Sequence, residues 1–203
     1  MPAADAWRGG WLRRARRCRS PNIGRRPRDA CVDLLLIHSI SLPPGEYGGD
    51  AIERLFTNRL DWDAHPYYGQ IRGMRVSAHF VVRRDGELLQ FVSCDRRAWH
   101  AGASCWRGRD DCNDYSIGIE IEGLEGDRFE PLQYDVLADL MRSLRDRYPL
   151  RGVAGHEHVA AGRKRDPGAG FDWPGLRLAL AWPERFFSTA GAHADIAASP
   201  RET

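Results

Sequence analysis

The sequence predicts a single domain of the α/β (α+β) class, and three observations carry that expectation. Cys31-Val32-Asp33-Leu34-Leu35-Leu36-Ile37 is a nearly continuous apolar run, the pattern of a strand buried on both faces at the centre of a sheet. Residues 76–82 and 87–92 flank Arg84-Asp85-Gly86, and an Asp-Gly step between two apolar runs marks a β-hairpin. Residues 50–60 and 131–148 carry apolar side chains at helical spacing, as helices lying on a sheet require.

Length and composition agree with one globular domain. The chain has 203 residues, enough to bury a substantial core. Its formal net charge of +2 is close to neutral, so nothing global demands nucleic acid as a partner. Five cysteines without CxxC spacing read as reduced thiols of a cytosolic protein rather than a disulfide framework. No apolar run approaches the ~20 residues of a membrane span, and the N-terminus lacks the pattern of a secretory signal. The expectation is a cytoplasmic monomer with no membrane partner.

Taken in order, residues 1–28 form a basic N-terminal arm, with nine arginines between Trp7 and Arg28. No aromatic stacking pattern accompanies that charge, so a solvated arm across the surface is favoured over a nucleic-acid site. Trp7, Trp11 and Leu12 could pin one helical turn of it to the body. Residues 29–186 are the domain proper. The buried strand ends at His38, where sites on such sheets open. A Pro/Gly loop leads to Asp50, which with Glu53 has capping-box spacing for a helix bearing Ile52, Leu55, Phe56 and Leu60. Residues 61–74 read as a long, functional aromatic loop, with His65 at its surface. His79, inside the first hairpin strand, is expected in the core. Trp99 and His100 then form a loop that presents an indole and an imidazole together. Residues 115–121 read as a further strand, and residues 131–148 as the best helix of the chain, with Leu137, Leu140, Met141 and Leu144 in its stripe. A last short helix follows Trp173-Pro174. Residues 187–203 are expected to be a disordered tail.

The chemistry concentrates in Gly155-His156-Glu157-His158 and the segment Arg163-Lys164-Arg165-Asp166-Pro167-Gly168. This run is rich in glycine and charge and has little apolar surface to bury. Imidazole and carboxylate both ligate zinc, and a catalytic zinc takes three protein ligands with one position left open. His156, Asp166 and the strand-end His38 are the candidate set. Glu120, set between Ile119 and Ile121, is a carboxylate that burial should push up in pKa, which suits a group taking and returning a proton. A salt-bridged glutamate at a sheet edge is the bland alternative. Lys164 can place its ammonium against a developing oxyanion. Together these residues point to metal-assisted hydrolysis of an amide.

The motifs resemble those of the zinc-dependent N-acetylmuramoyl-L-alanine amidases, in particular the cytoplasmic type that acts on anhydro-muropeptides in cell-wall recycling. The matching pieces are Ile37-His38, Ser41-Leu42-Pro43-Pro44-Gly45-Glu46, Ala64-His65-Pro66-Tyr67, Arg75-Val76-Ser77-Ala78-His79 and Arg97-Ala98-Trp99-His100-Ala101-Gly102. Arg84-Asp85-Gly86, Cys112-Asn113-Asp114, Ser116-Ile117-Gly118-Ile119-Glu120, Gly155-His156, Arg163-Lys164 with Asp166-Pro167-Gly168, and Phe171-Asp172-Trp173 complete them. The resemblance implies a mixed central β-sheet flanked by helices, shared with peptidoglycan recognition proteins. It implies zinc on His38, His156 and Asp166, and catalytic roles for Glu120 and Lys164. Arg75 would meet a carboxylate of the peptide stem, and Trp99 and His100 would line the groove. The bond cut would join the muramyl lactyl group to L-Ala. Ser39, Asp111, His158 and Ala161 depart from the family's pattern. Either Arg109 stands in for the basic residue usual near Asp111, or the acidic end of the stem is held less tightly. The alternative is a non-catalytic muropeptide-binding protein of the same fold, a class that typically lacks a zinc ligand.

Overall fold

A computed structural model describes residues 6–187. In chain order the strands are β1 (Trp7–Arg8), β2 (Trp11–Leu12), β3 (Arg16–Arg17) and β4 (Leu34–Ile40), followed by helices α1 (Ala51–Phe56) and α2 (Pro66–Gln70). Next come β5 (Phe80–Val82), β6 (Leu88–Gln90), β7 (Cys105–Trp106), β8 (Arg109–Asp110), β9 (Ser116–Glu122) and α3 (Pro131–Arg147). The described chain closes with β10 (Gly152–Gly155), α4 (His156–Val159) and α5 (Trp173–Leu180). The main sheet has six strands in the order β10-β4-β9-β5-β6-β3. β10, β4, β9 and β5 are mutually parallel, β6 runs antiparallel to β5, and β3 lies parallel to β6. The expected mixed sheet flanked by helices is what the chain forms.

Alternation along the strands assigns the two faces. Leu35 and Ile37 of β4, Ile117, Ile119 and Ile121 of β9, and Phe80 and Val82 of β5 pack with Leu137, Leu140, Met141 and Leu144 of α3 and Leu176 and Leu180 of α5. On the other face Val81 and Leu89 pack with Ile52, Leu55 and Phe56 of α1. Leu34, Leu36 and Ala154 meet Trp106 and Tyr115 there as well. His38 and Glu120 continue this second face at the C-terminal ends of their strands. Gln133 ties α3 to that end of the sheet: its amide donates to the carbonyls of Val82 (3.1 Å) and Glu122 (3.0 Å). A buried leucine such as Leu140 contributes about 2–5 kcal/mol over alanine.

Three local expectations need correction. Trp7 and Leu12 belong to a two-stranded hairpin, not a helical turn. The basic stretch they begin is not a solvated arm in its described part. Trp7 and Leu12 are buried, the Trp7 indole donates to Ser143 Oγ (2.9 Å), and Leu12 N donates to Gln90 Oε1 (2.8 Å). β3 covers the otherwise open edge of β6, and Arg26 donates to the carbonyls of Cys94, Asn113, Asp114 and Ser116. Buried carbonyls need donors, and the strap's arginine supplies them. In the aromatic stretch, α2 interrupts the expected loop, with His65 accepting from Tyr67 N (3.1 Å) as its cap and Pro66 in the first turn. The expected tail, apart from Phe187, lies outside the described residues.

Candidate metal centre and active site

Strand register assembles the site. Gly155 of β10 sits beside Ile37 of β4, and His38 sits beside Glu120 of β9. The next residue after Gly155 is His156, the first of α4, so His156, His38 and Glu120 emerge at the same level of three parallel strands. The chain then leaves α4 and returns, with Glu157 N donating to Asp166 O (2.9 Å). That return brings the Asp166 carboxylate over the strand ends. His38 Nδ1 and His156 Nδ1 lie 3.1 Å apart, and Asp166 Oδ2 is 3.0 Å from the first and 3.1 Å from the second. All three side chains are buried, and they form a cluster able to hold a metal ion.

The outer nitrogens of both imidazoles are also engaged. His156 Nε2 is 3.0 Å from the Ala101 carbonyl, which also accepts from Arg163 Nη2 (2.7 Å). His38 Nε2 is 3.0 Å from His100 Nδ1. Burial, with the neighbouring His156, pushes His38 down to about 4. Burial first, then His38 and His79, holds His100 well below its usual value. Burial alone would raise Asp166, but its contacts with His156 and His38 outweigh that and hold it below the carboxylate range.

Glu120 lies in the interior of the sheet rather than at an edge, 8% exposed, and among the described residues no group hydrogen-bonds its carboxylate. Burial and the nearby Asp166 push its pKa well above the usual carboxylate range, against the opposing pull of Lys164. The salt-bridged alternative therefore does not describe it. Lys164 is exposed and lines the same cleft, of about 380 Å³, as His38, Glu120, His156 and Asp166.

The expected substrate residues divide. Trp99 lines the cleft, 38% exposed, with the Arg97 guanidinium 4.2 Å from its ring centroid. Arg75 is exposed between Met74 and Val76, two residues of the cleft wall. His100 borders the cleft, but its ring is turned inward onto His38 and Gly118. Arg109 is not in the cleft. It grips both oxygens of Asp33 (2.8 and 3.0 Å), just before β4 begins, and packs on Tyr115, at the opposite end of the strands from His38. A buried carboxylate ahead of β4 captures the nearest guanidinium. His158 accepts from Gly155 N (2.9 Å) and faces Trp173, away from the cluster, while His79 is fully buried and hydrogen-bonded, as expected of a core residue. Sequence reasoning missed the apolar wall of Tyr67, Ile71 and Met74, since the helix carrying the first of these is too short to show periodicity.

The model of the N-acetylmuramoyl-L-alanine amidase family (Amidase_2) matches residues 28–169. The chain belongs to this family. It is an N-acetylmuramoyl-L-alanine amidase, and the matched stretch contains His38, Glu120, His156, Lys164 and Asp166. The 1,6-anhydro-N-acetylmuramyl-L-alanine amidase AmpD of Salmonella typhimurium (strain SL1344) is 50% identical over 174 residues, covering 85% of this chain and 93% of the relative. A crystal structure of a selenomethionine AmpD derivative superposes with a TM-score of 0.83 at 48% identity, covering 85% of this amidase and 98% of that chain. More distant is the Escherichia coli amidase AmiD, solved with the substrate anhydro-N-acetylmuramic acid-L-Ala-D-γ-Glu-L-Lys. It gives a TM-score of 0.54 at 27% identity, over 78% of this chain and 65% of that one.

Proposed function

We propose that this amidase hydrolyses the amide between the lactyl group of an anhydro-muramyl sugar and L-Ala of free muropeptides, in the cytoplasm, as a step of peptidoglycan recycling with zinc as cofactor. The observation that carries the reading is the pairing of His38 with Glu120 across adjacent parallel strands. It sets a buried, unpaired carboxylate beside three donor atoms that converge on one point. Those donors fit zinc. Ligand atoms at ~2.0–2.1 Å from a tetrahedral zinc lie roughly 3.3 Å from one another, and here the separations are 3.0–3.1 Å. The likeness to AmpD supports the anhydro-sugar specificity.

His38, His156 and Asp166 would hold the ion. When bound, zinc supplies Lewis acidity toward a carbonyl and toward water. Glu120 takes the proton released as water adds to the amide and passes it to the L-Ala nitrogen as that nitrogen leaves. Burial favours its protonated form, whereas a dication in the adjacent cluster favours the carboxylate. The balance suits a group that must accept and return one proton. Lys164 brings a positive charge to the developing oxyanion. Trp99 offers an indole face to the sugar, and Arg75, with no ion-pair partner among the described residues, is free to meet a stem carboxylate at the rim. All of these groups come from one chain, so a monomer suffices.

The test is to strip the protein with a chelator, restore zinc, and follow anhydro-muramyl-L-Ala-γ-D-Glu-diaminopimelate by mass spectrometry. The reading predicts one zinc per chain and release of a peptide with a free L-Ala amine only after zinc is restored. Tight binding of the muropeptide by the zinc-loaded protein without cleavage would contradict it.

A further inference from the structure

The segment His100-Ala101 touches both imidazoles of the metal cluster, from behind. Ala101 offers its carbonyl to His156 Nε2 at 3.0 Å, and His100 offers Nδ1 to His38 Nε2 at 3.0 Å. The Ala101 carbonyl only accepts and is the nearer partner, with Arg163 Nη2 at 3.5 Å, so it favours a proton on His156 Nε2 and a bare lone pair on Nδ1 toward the cluster. The same logic applies to His38 only if His100 acts as acceptor at Nδ1 and keeps its own proton on Nε2. Ser116 Oγ, 3.5 Å from His100 Nε2, is placed on the side where that proton would lie.

The segment is built to stay there. Asn113, buried at 4% exposure, accepts from the backbone N–H of His100 (3.0 Å) and of Ala101 (2.9 Å) through the same Oδ1. Arg163 donates to the carbonyls of Ala101 (2.7 Å) and Ala103 (2.6 Å). Position 118 of β9, between Ser116 and Glu120 on the site face, is glycine, and a Cβ there would fall 2.5 Å from His100 Cγ. Glycine is what lets the imidazole lie flat on the strand beside His38.

We infer that His100 is a positioning residue rather than a substrate contact: its Nδ1 accepts the Nε2 proton of His38 and thereby fixes the His38 tautomer that presents Nδ1 to the metal. This rests on the reading of His38, His156 and Asp166 as zinc ligands. Partners of this kind orient a ligating histidine and raise its basicity, and removing one typically lowers metal affinity about 10–100-fold.

Two variants separate the acceptor from the ring. His100→Phe keeps a planar ring over Gly118 and removes the acceptor; His100→Asn keeps an acceptor oxygen where Nδ1 stands. Zinc affinity is measured by chelator competition on wild type and both variants, with the visible spectrum of the cobalt(II) forms as a second readout. The expected result is a roughly 10–100-fold weaker zinc affinity and an altered cobalt spectrum in His100→Phe, with both restored in His100→Asn. Wild-type affinity in His100→Phe, or equal losses in both variants, would overturn the inference. If neither variant folds, the nitrogen-15 and proton spectrum of the zinc-loaded wild type decides. A proton on His38 Nε2 supports the inference, and one on Nδ1 overturns it. Wild-type protein that takes up no zinc would instead sink the metal reading itself, a result plainly different from a tight-binding His100→Phe.

Discussion

Glu120 and Glu122 sit two residues apart on β9, on the same face of the sheet, both buried. Their surroundings are opposite. Glu122 accepts from Arg83 Nη1 (3.0 Å), Gly48 N (2.8 Å) and Arg84 N (3.2 Å), and Arg83 passes on to Glu53, itself held by Arg16. Glu120 accepts from none of the described residues and faces the His38–His156–Asp166 cluster and the cleft. Burying a carboxylate is unfavourable unless it is paired. At Glu122 the protein supplies every partner. At Glu120 it withholds them, which leaves the buried, unpartnered carboxylate that we propose as the proton carrier. Sequence type and burial depth do not distinguish these two carboxylates; the inventory of donors does.

The largest effect expected from this contrast is on stability at Glu122. Glu122→Gln removes one partner of a buried ion pair and should lower unfolding free energy by about 3–5 kcal/mol in urea melts. Turnover per folded molecule should persist. A large loss of turnover in fully folded protein would blur the division between the two glutamates.

The pH dependence of metal-free protein sharpens the comparison, because the two neighbourhoods carry opposite signs. Glu53, hydrogen-bonded chiefly to Arg16, is lowered to about 2, so it adds stability above its usual range and loses it as pH falls toward about 2. Its side chain is partly solvated, so the contribution is modest. Glu120 is raised by burial: above the ordinary carboxylate range the unfolded chain has released a proton that the native state still holds. Its contribution therefore falls as pH rises. Glu120→Gln should gain on wild type as pH increases through and above that range, and Glu53→Gln should lose on it from acid upward. Parallel trends in denaturant melts of the two variants would contradict the assignment.

The smallest effect on catalysis is expected at Arg109. Its guanidinium is 44% exposed but Asp33 is buried, so Arg109→Ala leaves that carboxylate without its partner and should cost about 1–3 kcal/mol of stability. It should leave kcat/KM unchanged, because the pair lies at the far end of the strands from the cleft. A selective rise in KM would return Arg109 to the substrate groove.

How much of this was legible in the sequence follows from where each signal is local. The apolar run of β4, the helical stripe of α3 and the Asp85-Gly86 turn declare themselves within a few residues, and His38, His156, Glu120 and Asp166 were legible as chemically unusual neighbours of such elements. The strap of residues 6–28 was not, because its few apolar anchors are scattered among arginines. Its partners, Gln90 and Ser143, are also far along the chain. Arg109 was misplaced because the hairpin β7–β8 carries it to the wrong end of the strands for the cleft. The inward turn of His100 depends on a missing side chain at Gly118, a relation that no local pattern encodes.

The most direct test of the central claim is Glu120→Gln, assayed for zinc content and for anhydro-muropeptide hydrolysis in the same preparation. The account predicts full zinc occupancy, an intact fold and a turnover lower by a factor of about 10²–10⁴, the usual contribution of a positioned acid–base group. Zinc-loaded Glu120→Gln that turns over like wild type would contradict it.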